Sequence, residues 1–380
     1  MKHRSKLPNV GTTIFTVMSD LANKHQAINL SQGFPNFKSD QKLLHLVATA
    51  IKEGNNQYAP MLGSLLLREA IAAKFDFLYG VSYNVSNEIV VTSGATQAIF
   101  TAISAFINPQ DEVLLFKPAY DCYEPTVHLN GGVVVPIQLQ YPEYSVDWEL
   151  VKNSITSKTR MIIINSPQNP CGTIFSKKDM ITLEKITKGT DIIIVSDEVY
   201  EHMVFDNETH QSACLFSGLK ERTLITASFG KTFHNTGWKL GYCCGPKELM
   251  VEFIKVHQFN VFSANHPMQL AIANYMSDTN TYTNLPQFFQ QKRDVFLNAI
   301  KHSRFQFTPS KGTYFQVLDY SQITSENDID FAKRMVIEHG LASIPLSVFN
   351  QNGYDQKVLR FCFAKDETTL LKAAKILNNM

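Results

Sequence analysis

Short apolar runs alternate with longer helical patterns through the middle of the chain. Each run holds three to five residues, and polar or glycine-containing segments separate it from the next. The runs lie at residues 89–91, 113–116, 133–137, 161–164, 192–195 and 224–227. Brief apolar runs separated by helices are typical of buried strands in a parallel sheet that is covered on both faces. The pattern therefore predicts an α/β fold.

Apolar residues spaced by three and four positions predict the helices. Within residues 94–107, for example, Ala98 and Ala102 fall on one face, as they do in an amphipathic helix. Longer helical patterns cover residues 247–259 and 286–301. The chain thus changes from alternating strands and helices to mainly helical segments in its last third.

Two further strands are predicted near residues 313–318 and 358–363. We predict a three-layer α/β/α large domain with a mainly parallel sheet over residues 39–282. A smaller α+β domain is predicted to combine the two ends of the chain, residues 1–38 and 283–380. Runs of mixed strands and helices outside the alternating region are typical of such a second unit.

The composition favours a small-molecule partner. The 380 residues carry a formal net charge of +1 with scattered basic residues, which argues against binding of nucleic acid or of a membrane surface. Charged residues make up 18% of the chain, below the about 25% usual for soluble proteins, which favours a subunit interface.

The six cysteines form no CxxC pair, and no apolar stretch approaches about 18 residues. These features predict a cytoplasmic protein with reduced thiols.

Chemically distinctive side chains follow the predicted strands. In an open parallel sheet, ligands bind outside the carboxyl ends of the strands. After the first run, a turn of small residues with Ala95 and Thr96 opens a helix, whose free backbone N–H groups can hold a phosphate. The later strand ends supply an aromatic ring, an amide, a carboxylate, a phenol, a hydroxyl and two lysines: Tyr120, Asn169, Asp197, Tyr200, Ser228, Lys231 and Lys239.

This set suits a phosphorylated aromatic aldehyde that contains a ring nitrogen. Such a molecule needs a lysine for an imine, a carboxylate to keep the nitrogen protonated, donors for its phenolate oxygen and an anion site. The chain resembles the class I, fold-type I aminotransferases that use pyridoxal 5'-phosphate, near their methionine and kynurenine branch. The likeness covers nearly the whole chain, from INLSQGFPNF through NQYAPMLG to LRFCFA.

The resemblance implies a role for each residue around the cofactor ring. Lys231 is implied to be the Schiff-base lysine and to move the proton between the substrate Cα and the cofactor. Asp197 would pair with the pyridinium nitrogen, and an opposite charge typically favours the charged form by about 1–3 pKa units. Asn169 and Tyr200 would hydrogen-bond the phenolate oxygen, and Tyr120 would stack on the ring.

The resemblance also implies a phosphate site and a dimer. Ala95, Thr96, Ser228 and Lys239 would bind the phosphate. Tyr58 would reach the phosphate of the neighbouring subunit, so that a homodimer with shared active sites would be required. The implied reaction is a ping-pong transfer of an amino group to a 2-oxo acid through pyridoxamine phosphate.

An arginine within an apolar strand indicates how the substrate is held. Arg360 stands between apolar residues of the predicted strand, where an unpaired charge is unfavourable. A substrate α-carboxylate bound by the guanidinium group removes that cost. Gly33 and Asn169 resemble the other contacts that the family makes to this carboxylate.

The sequence predicts an apolar or aromatic amino donor. Some family members bind the acidic side chain of their substrate with an arginine that follows the Schiff-base lysine in sequence. In this chain no arginine occurs between Arg222 and Arg293. That stretch instead contains Phe262, and the N-terminal segment contains Phe15. We expect methionine first, then phenylalanine, tyrosine, leucine or kynurenine. The kynurenine enzymes commonly carry an aromatic residue at the position of Thr96, so the smaller residue leaves the preference open.

Two rival sites are disfavoured by the residues. A P-loop ending at Gly230 requires glycine at position 225, where Ile225 stands. Glu198, Glu201 and His202 have the spacing of metal ligands on one helix face. Such a set is usually a solvated face, and no second ligand cluster accompanies it, so we predict no metal.

Two other functions are compatible with an aminotransferase-like chain: a DNA-binding regulator and a β-lyase. Aminotransferase-like regulators carry a DNA-binding extension, and only 27 residues precede INLSQGF, so we expect no such module. A pyridoxal-phosphate-dependent β-lyase that cleaves cysteine S-conjugates or cystathionine would use the same lysine and aspartate. It would release pyruvate and a thiol without needing a keto acid.

Overall fold

The computed structural model of the chain describes residues 4–380, and twelve strands lie within them. They are β1 (Ile28–Asn29), β2 (Ile89–Thr92), β3 (Glu112–Lys117), β4 (Val133–Gln138), β5 (Thr159–Asn165), β6 (Ile193–Asp197), β7 (Thr223–Ser228), β8 (Gly241–Cys244), β9 (Phe315–Asp319), β10 (Leu341–Ala342), β11 (Ile344–Pro345) and β12 (Val358–Cys362).

Fifteen α-helices lie in the same part of the chain. They are α1 (Ile14–Lys24), α2 (Gln41–Lys52), α3 (Leu65–Tyr79), α4 (Gly94–Phe106), α5 (Tyr123–Leu129), α6 (Trp148–Ser154), α7 (Lys177–Thr187), α8 (Ser217–Lys220), α9 (Phe229–Thr232), α10 (Lys247–Asn260), α11 (His266–Met276), α12 (Asn280–Thr283), α13 (Leu285–Ile300), α14 (Asp328–His339) and α15 (Glu367–Asn378). Short 3₁₀ helices lie at Ala213–Leu215, Thr236–Trp238, Ser347–Phe349 and Gln351–Gly353. Over residues 4–380, none of the helices combines the length and the apolar character that crossing a bilayer requires.

The central layer is a seven-stranded sheet with the strand order β2-β8-β7-β6-β5-β3-β4. Strand β8 runs antiparallel to both of its neighbours, and the other six strands run parallel to one another. The predicted α/β fold with a mainly parallel sheet is therefore confirmed. The apolar pattern does not predict β8, because its sequence GYCC begins with glycine and contains no valine, isoleucine or leucine.

Two separate apolar cores cover the two faces of this sheet. Val90 and Leu115 belong to one core, and Val91 and Leu114 belong to the other, as expected for side chains that alternate across a strand. Helices α4 and α10 cover the first core, and α3 and α7 cover the second. Fully burying one leucine or valine stabilises the fold by about 1.5–3 kcal/mol. The three-layer arrangement follows from these two buried faces.

All six predicted strands of the central sheet end one or two residues later than their apolar runs predict. Strand β6 continues to Asp197, which pairs with Asn165 of β5, and β7 continues to Ser228, which pairs with Gly241. Asp197 and Ser228 are thus the last residues of their strands rather than residues that follow them. The ladder continues because backbone pairing is independent of side-chain polarity.

A smaller unit is built from both ends of the chain. Strands β11, β12 and β9 form an antiparallel sheet, and helices α13 and α15 pack against each other. Strand β1 pairs in parallel with β10, Ile28 lying opposite Leu341. This agrees with the expected small α+β unit, while the boundaries at residues 39 and 283 stay a prediction. The first three residues of the predicted segment 1–38 lie outside the described residues.

Candidate active site

A cavity of about 140 Å³ lies at the carboxyl ends of the central parallel strands. Nine of the residues predicted from the strand ends line it, although they come from separate segments of the chain. These are Ala95, Thr96, Tyr120, Asn169, Asp197, Tyr200, Ser228, Lys231 and Lys239. The structure therefore brings together the aromatic ring, the amide, the carboxylate, the phenol and both lysines.

One end of the cavity is suited to an anion. Helix α4 begins here without a side-chain cap from Ser93, so its first backbone N–H groups stay available. A Cβ atom built on Gly94, whose φ is +78°, would lie 3.5 Å from the Lys239 Nζ. A Cβ built on Gly241 would lie only 2.9 Å from the Ala95 nitrogen. The two glycines thus let the helix start, strand β8 and a lysine ammonium approach closely.

A buried carboxylate lies across the cavity. The Asp197 Oδ2 accepts a hydrogen bond of 2.5 Å from the Tyr123 hydroxyl, and its Oδ1 accepts one of 3.2 Å from the Val199 N–H. Burial raises the Asp197 pKa to about 6, although the Tyr123 hydrogen bond and the Lys231 charge lower it. A cation placed against this carboxylate would favour its ionised form.

Lys231 follows β7 in the short helix α9, and its half-buried side chain lines the cavity. Its Nζ donates to the Gly33 carbonyl oxygen at 3.0 Å and to the Tyr314 hydroxyl at 2.9 Å. Burial lowers the Lys231 pKa to about 8, with a smaller contribution from the Arg360 charge. A buried amine with a lowered pKa is partly neutral near physiological pH, which nucleophilic attack on a carbonyl requires.

Arg360 lies in the middle of β12 and is fully buried. Its Nη1 donates to the Asn169 Oδ1 at 2.8 Å, its Nη2 donates to the Ser31 carbonyl at 2.9 Å, and the Phe315 ring centre lies 3.9 Å from its Cζ. Over residues 4–380, its Nε has no hydrogen-bond partner and no carboxylate forms a salt bridge with it. Burial lowers the Arg360 pKa. A buried guanidinium with an unused donor is suited to an anionic ligand.

Arg360 and four other predicted residues do not line the cavity. Gly33 contacts the Lys231 Nζ through its carbonyl oxygen, and the Phe15 ring lies 5.2 Å from the Arg360 Cζ. Tyr58 and Phe262 are 82% and 44% exposed, and their rings pack edge to face at 5.6 Å. Their predicted contacts with a neighbouring subunit and with substrate stay predictions.

Residues 25–377 match the model of the family described as aminotransferase class I and II. The chain belongs to this family. It is 46% identical to the methionine aminotransferase of Escherichia coli (strain K12) over 378 residues, which cover 99% of this chain and 98% of that protein. It is 32% identical to the kynurenine–oxoglutarate transaminase of Dictyostelium discoideum over an alignment of 412 positions, which covers 98% of this chain and 95% of that one.

Solved structures agree with this membership. The Escherichia coli protein YbdL, for which a methionine aminotransferase function was identified, superposes with a TM-score of 0.98 at 45% identity and full coverage of both chains. The N-succinyldiaminopimelate aminotransferase of Mycobacterium tuberculosis superposes with a TM-score of 0.95 at 35% identity, also with full coverage. The fold of this aminotransferase is therefore fold type I.

Aminotransferases of this class use pyridoxal phosphate, and the residues of the cavity fit that cofactor. The uncapped start of α4 and Lys239 could hold its phosphate. Asp197, whose burial raises its pKa to about 6, could hold the protonated ring nitrogen, since a nearby cation offsets that burial. The partly neutral Lys231 amine could bind its aldehyde.

Sequence reasoning missed two tyrosines that contact these groups. Tyr123 contacts Asp197, and Tyr314 contacts Lys231. Tyr123 begins α5 three residues after Tyr120, and this closeness in sequence to a predicted ring contact was the available signal. Tyr314 lies just before β9 in the smaller unit, and nothing in its sequence neighbourhood indicates a contact with a lysine 83 residues away.

The three residues considered as a metal site have other partners. Glu201 forms a buried salt bridge with Lys74 and accepts hydrogen bonds from Tyr242 and Tyr79. His202 lies in the same turn rather than on a helix. Within residues 4–380, no group of histidine, cysteine and acidic residues could hold a metal ion. The buried pair instead anchors the turn that follows Asp197.

Replacing Asp197 with asparagine will stabilise the cofactor-free protein above pH 6 and weaken its binding of pyridoxal phosphate. The folded-state pKa of about 6 exceeds the usual 3.8, so the ionised carboxylate destabilises the fold at neutral pH. That cost, at most about 3 kcal/mol, declines as the pH falls below 6 and is absent below 3.8. Denaturant unfolding at several pH values, with and without cofactor, measures both effects.

The exposed Asp191→Asn variant is the matched control, because it removes one carboxylate from the surface. It should change neither the unfolding free energy nor the cofactor affinity measurably. A less stable Asp197→Asn protein above pH 6 would contradict the assigned strain at this carboxylate.

Proposed function

We propose that this aminotransferase moves the amino group of an apolar or aromatic L-amino acid, methionine first, to a 2-oxo acid in a ping-pong reaction. When bound, pyridoxal phosphate supplies an aldehyde that accepts the amino group and a ring that withdraws electrons from the substrate Cα. The observation that carries the proposal is the buried Lys231 amine, in one cavity with Asp197 and the anion site.

Lys231 is proposed to bind the cofactor covalently and then to move a proton at the substrate Cα. Its lowered pKa, about 8, lets the same nitrogen accept and release that proton near neutral pH. Asp197 is proposed to keep the cofactor ring nitrogen protonated, and Tyr123 holds the Asp197 carboxylate in place. Asn169 and Tyr200 are proposed to donate to the ring oxygen, with Tyr120 stacked on the ring.

The phosphate is proposed to bind at the start of α4. Ala95 and Thr96 would donate backbone N–H groups, and Ser228 and Lys239 would add a hydroxyl and an ammonium. Tyr58 is proposed to reach the phosphate of a second subunit in a homodimer. Its side chain is 82% exposed, which supports a role at an interface, since a large aromatic ring gains from burial.

Arg360 is proposed to bind the substrate α-carboxylate. Its guanidinium is fixed by Nη1 on Asn169 and Nη2 on the Ser31 carbonyl, and each of these two nitrogens keeps a second N–H that could bind the substrate. The carboxylate would supply the negative charge that this buried cation lacks within the described residues. Gly33 and Asn169 are proposed as the adjoining contacts.

An apolar side-chain site is proposed near Phe15. The Phe15 ring lies 5.2 Å from the Arg360 Cζ and 5.7 Å from the Phe349 ring, so apolar surface adjoins the carboxylate site. Phe262 is proposed to add apolar surface from the neighbouring subunit. The 46% identity to a methionine aminotransferase supports methionine as the first donor to test. The free cysteines of the described residues support a reducing, cytoplasmic location.

A screen of amino donors against 2-oxo acid acceptors tests this proposal. We expect kcat/KM for methionine to exceed that for aspartate by about 100-fold or more, because an unpaired carboxylate is costly to bury beside apolar rings. Equal rates with aspartate would contradict the proposed donor class.

The same screen separates the β-lyase alternative. An aminotransferase needs a 2-oxo acid for turnover and converts it to an amino acid. Release of pyruvate and a thiol from cystathionine, at a rate independent of added 2-oxo acid, would instead identify a β-lyase.

A further inference from the structure

Three separate segments of the chain meet at the Tyr314 hydroxyl. Tyr314 directly precedes β9, Gly33 lies in the N-terminal segment, and Lys231 follows β7. The Tyr314 hydroxyl donates to the Gly33 carbonyl oxygen and accepts from the Lys231 Nζ at 2.9 Å. The Lys231 Nζ also donates to the same carbonyl at 3.0 Å. The three polar groups therefore form a closed triangle of hydrogen bonds.

This triangle fixes the direction of the Lys231 nitrogen. A neutral amine has two N–H bonds and one unshared electron pair in a tetrahedral arrangement. Both N–H bonds are used by Gly33 and Tyr314, so the electron pair takes the remaining direction. After the nitrogen gains a proton, the same two bonds persist and the third N–H occupies that direction. One geometry thus serves both proton uptake and proton release.

The position of Tyr314 is strongly constrained by its neighbours. The Tyr314 ring is fully buried and lies edge to face with the Tyr200 ring at 5.2 Å. The preceding Thr313 has a φ of +66°, which a β-branched residue rarely adopts and which costs free energy. The Thr313 N–H donates to the Met203 carbonyl at 2.9 Å, and its Oγ1 accepts from the Phe315 N–H at 3.0 Å. The two hydrogen bonds of Thr313 offset its backbone strain and fix the position of Tyr314 next to Lys231.

We propose that the Tyr314 hydroxyl and the Gly33 carbonyl form a docking position for the Lys231 amine during the part of the reaction in which it is not bound to the cofactor. Tyr314 is then a positioning residue for amino transfer, and it acts through Lys231. This inference rests on the proposed function of Lys231. It also connects the smaller unit to the lysine, because Tyr314 and the Arg360 stacking partner Phe315 are adjacent residues.

The Tyr314→Phe variant tests the proposal, because it removes the hydroxyl and keeps the ring. We expect kcat with methionine to fall by about 10-fold to 100-fold, since the amine loses its orientation. The KM for methionine and the affinity for pyridoxal phosphate should change by less than about twofold. The yellow absorbance of the holoenzyme should persist.

A second readout follows the lysine itself. The holoenzyme is first loaded with the amino group by excess methionine, and the pH dependence of Lys231 acetylation is then measured by mass spectrometry. The lost hydroxyl accepted a hydrogen bond from the ammonium form, so the labelling curve should move to lower pH by about one unit in Tyr314→Phe. A packing role alone would not move this curve.

Tyr320→Phe is the matched control, because the Tyr320 side chain is also fully buried and donates to the Glu326 carbonyl at 2.9 Å, away from the cavity. It should retain the wild-type kcat and labelling curve. An unchanged kcat and curve in Tyr314→Phe, or equal changes in both variants, would overturn the docking position. Amino transfer that persists in Lys231→Ala would instead overturn the proposed function, whatever Tyr314→Phe does.

Discussion

Replacing Lys231 with alanine will lower kcat for amino transfer by about 10⁴-fold or more. The substitution removes the amine that is proposed to attack the cofactor aldehyde and to move the proton at the substrate Cα, and general acid–base catalysis alone contributes about 10²–10⁴-fold. The contacts of the Lys231 Nζ with Gly33 and Tyr314 are lost with it.

Borohydride reduction gives the decisive measurement. In the wild type it should fix the cofactor to a peptide that contains Lys231, which mass spectrometry detects. Lys255→Ala is the control, because Lys255 is exposed and pairs only with the neighbouring Glu252, and it should keep full activity. A cofactor that is still reducibly attached in Lys231→Ala would show that another lysine performs this role.

Replacing Arg360 with lysine will lower kcat/KM for methionine by about 100-fold to 1,000-fold. Truncating one member of a buried charge pair typically costs about 2–5 kcal/mol, and a lysine ammonium cannot reproduce the planar fork that contacts Asn169 and the Ser31 carbonyl. The loss should fall mainly on KM, because the carboxylate is bound in the ground state as well as the transition state.

Arg334→Lys provides the comparison. Arg334 pairs with Glu326 at the surface, where such pairs contribute only about 0–1 kcal/mol, so kcat/KM should stay unchanged. Steady-state kinetics are measured with methionine and with amine donors that lack a carboxylate. The comparison separates the loss of carboxylate binding from other effects of the substitution. An Arg360→Lys enzyme that loses activity equally with both kinds of donor would contradict carboxylate binding by Arg360.

The cavity could be predicted from the sequence because parallel strands end at one edge. Each apolar run identified a strand of the central sheet, and residues at the carboxyl ends of parallel strands meet at one edge. The residues from Ala95 to Lys239 were found in this way, and they line one cavity. The exact ends of the strands were harder to predict, because polar residues such as Asp197 and Ser228 still pair through their backbones.

Contacts between distant segments could not be predicted from local patterns. Tyr314 lies 281 residues from Gly33, whose carbonyl it contacts, and neither neighbourhood contains a signal for the other. Strand β8, with the sequence GYCC, contains none of the valine, isoleucine or leucine residues that identified the other central strands. The relation of Tyr58 and Phe262 to the site depends on a second subunit, and periodicity within one chain carries no information about it.

The contact of Arg360 with the Ser31 carbonyl imposes an order on assembly during translation. The phosphate end, Asp197 and Lys231 all lie within residues 94–239, so a ribosome can release every one of them long before the chain is finished. The contact between Arg360 and the Ser31 carbonyl, where the substrate carboxylate is proposed to bind, joins residues 329 positions apart and must wait for the last strand to emerge. A nascent polypeptide could therefore capture its coenzyme before it is able to recognise an amino acid.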